Sequence, residues 1–255
     1  MWRGLRIAVL LTVLVVVAGS AWVDRRRTTD WDSTLWIGIF PIAADSSPVT
    51  RDYLDELDPG RFADIERFFE RAARAHGVAL ERPVKVVLEA PVADAPPRLE
   101  PGAGVLARVA WSLRMRLYAW RRSSGSLADI RIFVLYHDPE RTPAVPHSLG
   151  LQKGLLGVVY AFADESMDGE NAVVIAHETL HALGATDKYD LRNGQPRFPE
   201  GYADPQAMPR HPQRAAEIMG GRIPLSDDEA GMPESLDAVA VGALTAREIN
   251  WVDAP

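Results

Sequence analysis

The stretch His177-Glu178-Thr179-Leu180-His181-Ala182-Leu183-Gly184-Ala185-Thr186-Asp187 constrains this chain more than any other. Ala172 to Ala176 lead into it with helix-compatible apolar residues, so the two histidines, four positions apart, project from one face of a helix on successive turns. Both imidazoles can then reach a single metal ion. Glu178 sits about 100° further round the helix, beside such an ion rather than in line with its ligands. Gly184 can adopt the left-handed conformation that ends a helix without a side-chain clash. The chain can therefore turn, and Asp187 can return as a third ligand, leaving a fourth coordination position open as catalytic sites require. The chain has only 6 histidines, which makes a chance occurrence of this spacing less plausible, and Gly184 and Asp187 add two further constraints.

These residues resemble the long zinc motif of metzincin peptidases, in the variant where aspartate replaces the third histidine. Snapalysin-type and immune-inhibitor-A-type peptidases look similar, and Asp187-Lys188-Tyr189-Asp190 is reminiscent of the latter. Downstream, Ile218-Met219-Gly220 resembles the Met-turn of that clan. The resemblance implies that Met219 floors the site without binding metal. It also implies an upper lobe with a twisted sheet, a lower lobe after Gly184, and an extended peptide lying along the edge strand with residues around Val158 to Phe162 lining the cleft. One Zn2+ per chain would polarise the scissile carbonyl and acidify a water, with Glu178 as general base. An anionic Asp187 in place of a third imidazole makes the site less positive, which reduces that acidification. Two other functions compete with a zinc-dependent endopeptidase. A catalytically silent zinc-binding interaction module is disfavoured by Glu178, since a structural site needs no base. A metal-dependent hydrolase of a non-peptide amide stays open.

Other candidates carry less. Asp164, Ser166, Asp168 and Gly169 open like a calcium loop, but Ile175 stands where a bidentate glutamate is needed, so a helix-capping role is expected. Tyr189 and Tyr202 could donate to an oxyanion, though structural roles are the expectation. His76, His137, His147 and His211 lack ligand spacing and read as turn or surface residues. Thr245 and Glu248 have capping-box spacing and mark a short final helix. With no cysteine, thiolate metal sites, disulfides and a cysteine switch are excluded, and a net charge of −7 argues against a nucleic-acid partner. The partner expected instead is a protein or peptide substrate.

Residues 7 to 23 form an uncharged apolar run flanked by Arg3 and Arg6 on one side and Arg25 to Arg27 on the other. As a helix it would reach roughly 26 Å, just enough to span a thin hydrocarbon core. Although Ala18 to Ala21 could form a cleavage site, the three arginines beyond them favour an uncleaved membrane anchor over a cleaved signal. The expectation is a membrane contact through the N-terminal helix with an extracytoplasmic catalytic domain, or a secreted protein if the segment is cleaved. Residues 1–30 then form anchor and linker, and 31–255 the metallopeptidase domain, with its lobes at about 31–184 and 185–255. Along that domain the hydrophobic pattern predicts strands at Leu35–Ile42, Val84–Leu88, Ile130–Tyr136 and Leu155–Ala163. It predicts helices over 61–76, 104–122 and the motif itself. The alternation implies an α/β (α+β) fold with a mainly parallel sheet, in which the closely following fourth strand could be an antiparallel edge. The lower lobe is expected to be small and irregular, with the Met-turn and a C-terminal helix.

Overall fold

The computed structural model describes residues 29–100, 102–146, 148–151 and 155–252. Its five-stranded sheet comprises β1 (Leu35–Ala43), β2 (Val84–Leu88), β3 (Ile130–His137), β4 (Leu149–Leu151) and β5 (Leu156–Phe162), in spatial order β2-β1-β3-β5-β4. The first three pairings are parallel and β4 alone runs antiparallel, against β5. Parallel neighbours need long crossovers. Helices α1 (Pro48–Asp55) and α2 (Ala63–Ala75) join β1 to β2, α3 (Val105–Arg122) joins β2 to β3, and α4 (Asp168–Leu183) follows β5. The fold is α/β, with a mainly parallel sheet and an antiparallel edge.

The central strands are apolar almost throughout because both sheet faces are covered. On one face Ile37, Ile39, Ile132, Val134 and Val159 meet Ile65, Phe69 and Ala73 of α2 and Ala176 and Leu180 of α4. On the other, Phe40, Ile42, Phe133, Leu135 and Val158 meet Trp111, Met115 and Ala119, the i, i+4, i+8 line of α3. Each fully buried side chain of this kind contributes about 1.5–3 kcal/mol before entropy is counted. The motif helix thus lies against a rigid, doubly covered sheet.

Beyond α4 the chain is mostly irregular, with the short strands β6 (Ala216–Glu217), β7 (Ile223–Pro224), β8 (Ala230–Gly231) and β9 (Val239–Ala240) before α5 (Ala243–Glu248). A buried carboxylate organises this part. Glu217 accepts the Gly220 N–H at 2.8 Å, the Gly242 N–H at 3.0 Å and the Thr245 hydroxyl at 2.6 Å. The turn containing Met219 is thereby tied to the start of α5. At the other end of α5, the Trp31 indole donates to the Ile249 carbonyl at 2.7 Å and the Asn250 amide donates to the Thr29 hydroxyl at 3.1 Å.

Several expectations are corrected. The antiparallel edge is not the strand at 155–163, which pairs parallel with β3 and is interior; it is the three-residue β4. The membrane anchor and transmembrane helix are also overturned as features of the fold: no helix among the described residues is long and apolar enough to cross a membrane. The 18-residue α3 carries five arginines. The apolar run at 7–23 that prompted the expectation lies outside the described residues, as does His147. Thr245 and Glu248 do not form a capping box: α5 begins at Gly242 without a side-chain cap, Thr245 is committed to Glu217, and Glu248 reaches Thr186 and Lys188. His137 is buried at the end of β3 rather than on the surface.

Candidate metal centre

Three contacts place α4. In its first turn Asp168 accepts from the Tyr53 hydroxyl at 2.5 Å and from Arg61 at 3.0 Å, and an acidic residue here also complements the helix dipole. The Asn171 side chain pairs with the backbone of Phe162 in both directions, at 2.9 and 3.0 Å, which fixes the helix against the end of β5. At the far end Gly184 adopts φ +112°, and the Ala185 N–H returns to the Leu180 carbonyl at 2.9 Å. That left-handed residue reverses the chain, as glycine allows.

The reversal brings Asp187 back over the helix. His177 Nε2 and His181 Nε2 lie 3.1 Å apart, with Asp187 Oδ1 at 3.4 Å from the first and 3.0 Å from the second. The other ring nitrogens decide what this triangle means. His177 Nδ1 faces the Ile218 carbonyl at 2.7 Å and His181 Nδ1 faces the Ala185 carbonyl at 2.8 Å. A carbonyl can only accept, so each Nδ1 carries the hydrogen and each Nε2 of the neutral ring presents a lone pair. In that neutral tautomer two lone pairs and a carboxylate oxygen converge, an arrangement that suits a cation. His177, His181 and Asp187 could hold a metal ion.

Without metal, protons supply part of that charge. Burial alone would raise the Asp187 carboxyl, but hydrogen bonds from His177 and His181 and their charges hold it far below the usual carboxylate range. Burial would depress His181, yet the Asp187 hydrogen bond and the charges of Glu178 and Asp187 raise it instead.

Glu178 is 4% exposed, and its Oε2 is buried without a hydrogen-bond partner. Burial pushes its carboxyl above the ordinary range, partly offset by the neighbouring imidazoles. Such an orphaned atom beside the triangle fits a water held next to a cation. The edge strand covers this spot at Gly150, where a Cβ would lie 2.3 Å from His181 Cβ, 2.8 Å from the Glu178 carbonyl oxygen and 2.9 Å from Glu178 Oε2. Only a glycine lets β4 pass so close.

Met219 is fully buried in the core shared with Ala176 and Leu180, and its carbonyl accepts the Lys188 N–H at 2.8 Å. Its neighbour Ile218 is the residue that orients His177. Tyr189 lies near the centre as well: burial, reinforced by the charges of Asp187 and Glu178, pushes its phenol up to about 12. Tyr202 is buried and meets His211 Nε2 at 3.0 Å. Sequence reasoning overlooked Gly150, Lys188 and Glu217. Lys188 enters the sequence reading only as part of the Asp187-Lys188-Tyr189-Asp190 run with no role of its own, and nothing local marks Gly150 as the point of closest approach to Glu178.

No protein-family model and no curated protein matches the chain. Among solved structures, wild type OgpA from Akkermansia muciniphila is similar in two crystal forms. One matches at 12% identity and a TM-score of 0.44, covering 86% of this chain and 62% of that one. The other matches at 10% identity and 0.39, covering 83% and 58%. The chain therefore spans less than two thirds of the length of either.

Proposed function

We propose that this chain is a zinc-dependent endopeptidase in which His177, His181 and Asp187 hold the metal and Glu178 is the general base. One observation carries the reading: two imidazole nitrogens and a carboxylate oxygen converge at 3.0–3.4 Å beside a buried carboxylate oxygen that has no partner. Their separations suit zinc, since a tetrahedral site with metal–nitrogen distances near 2.0–2.1 Å sets its ligand atoms roughly 3.3–3.4 Å apart. Three protein ligands leave one position for solvent or substrate.

Zinc bound there supplies a Lewis acid for the scissile carbonyl and acidifies water. Glu178 accepts a proton at Oε2 as the carbonyl is attacked and delivers it to the leaving amine. Its burial supports both steps, because a carboxyl raised above its ordinary pKa holds a proton more readily between them. The Ile218 and Ala185 carbonyls keep the imidazoles in the tautomer that presents Nε2. Met219 forms the apolar floor beneath them. An extended peptide would add to β4, whose outer edge faces away from β5, and Gly150 would bring the paired backbone alongside Glu178. This moves the cleft wall from Val158–Phe162 to β4. Residues up to Gly184 and those after it are read as two lobes meeting at the centre.

Metal analysis of the full chain and of Glu178→Ala, paired with peptide-library cleavage, tests the reading. About one zinc per chain is expected in both, with cleavage by the parent alone. Equal cleavage by the two removes Glu178 from the mechanism, and zinc without any cleavage points to a silent binding module.

A further inference from the structure

A cavity of about 350 Å³ opens on the α3 side of the sheet, lined among others by Arg116 and Trp120 of α3, Ser124 and Gly125 of the following loop, Arg131 of β3 and Leu156 of β5. Among the described residues, two guanidinium-bearing residues line it and no carboxylate does. In a chain of net charge −7 this is a local inversion of sign. Arg131 is only partly exposed, and its Nε is buried without a hydrogen-bond partner. The carboxylates nearest in sequence and strand register are taken up by neutral donors, and neither forms an ion pair with Arg131. Asp129 accepts the Trp36 N–H at 2.9 Å and Glu89 accepts the Ser126 hydroxyl at 2.5 Å. A cation drawn partly out of water with no counter-charge among the described residues is costly, which points to a missing anionic partner.

We propose that this cavity binds a small oxyanion of the phosphate or sulfate class, with Arg131 as its charged anchor and Ser124 as a hydroxyl donor. The planar guanidinium fork matches two oxygens of such an anion, and charge-assisted bonds of this kind are the strong ones. The proposal does not depend on the metal centre. The cavity belongs to the face on which Leu156 packs with α3, whereas α4 packs on the other.

The test is calorimetric titration of the full chain with inorganic phosphate and, separately, sulfate, in chelator and at constant ionic strength made up with chloride. Tm is followed in parallel. Saturable binding of one anion per chain is expected. Arg131→Gln should weaken it by at least about 10-fold, while leaving Tm in anion-free buffer unchanged or higher because an uncompensated charge has been removed. Arg51→Gln, on the exposed side of α1, should bind as the parent does. Phosphoserine binding more tightly than inorganic phosphate assigns the anion to a larger ligand; the reverse order assigns it to the free ion. Absence of a saturable phase overturns the proposal, as does full affinity in Arg131→Gln. So does collapse of that variant's Tm without anion, which would make the arginine structural.

Discussion

The ammonium of Lys188, 2% exposed, lies 2.6 Å from a carboxylate oxygen of Glu248, so the residue next to Asp187 is fastened to the last helix of the fold. The same ammonium donates to the Thr186 carbonyl at 2.6 Å, and Glu248 accepts the Thr186 N–H at 3.0 Å and its hydroxyl at 2.6 Å. Asp187 is thus clamped from both flanks. Glu248→Ala strands a buried cation, and a loss of about 3–5 kcal/mol is expected in urea unfolding. Replacing both partners with methionine should recover much of that loss. In the single variant zinc affinity should fall, because the residues on both sides of Asp187 lose their anchor. Unchanged affinity by competition with a chromophoric chelator would show that Asp187 needs no clamp.

Gly150→Ala puts a methyl where neither the His181 side chain nor the Glu178 backbone can give way together. Displacement of β4 should cost about 1–3 kcal/mol of stability and lower kcat/KM. Gly231→Ala, where the added carbon meets only the far end of Leu225 at 3.6 Å, is the matched control. Equal activity in the two variants would remove β4 from the cleft.

Metal-free and metal-loaded protein should respond to pH in opposite directions. The depressed Asp187 carboxyl stabilises the fold above its unfolded pKa of about 3.9, and that contribution is lost as pH falls toward its lower folded value. The raised His181 contributes fully below about 6.5 and loses its contribution as pH climbs through its folded value. Chelated protein should therefore hold its site-derived stability between about pH 4 and 6.5 and lose it above. With zinc, protons compete for the imidazoles, so the metal's stabilisation should grow over the same rise. Parallel Tm curves with and without chelator would contradict this.

Met219 separates packing from ligation. Met219→Leu keeps the volume and should cost less than about 1.5 kcal/mol, whereas Met219→Ala opens a cavity at about 2–5 kcal/mol. Zinc content should stay near one per chain in both. Loss of zinc from the leucine variant would mean that the sulfur matters beyond its bulk.

The strands buried on both faces were legible to within a residue or two, since a continuous apolar run has few other uses. The motif likewise announced the pairing of His177 with His181, because helix geometry makes them neighbours without tertiary information. What escaped depends on distant partners. α1 was missed: it is short, opens on Pro48, and its Ser47 cap is silent because the hydroxyl donates to Asp138 at 2.5 Å. β4 spans three residues and exists through its pairing with β5, so local pattern could not reveal it, nor show that β5 is interior. Thr245 and Glu248 have the spacing of a cap, yet their partners are Glu217 and Lys188, 28 and 60 residues away.

The bonds from Trp31 to Ile249 and from Asn250 to Thr29 mean that the segment entering β1 and the segment leaving α5 hold one another in place. Clipping the chain just after α5 would therefore unlace the molecule at its beginning as well as at its end. The first strand of the sheet would feel a cut made more than two hundred residues downstream of it.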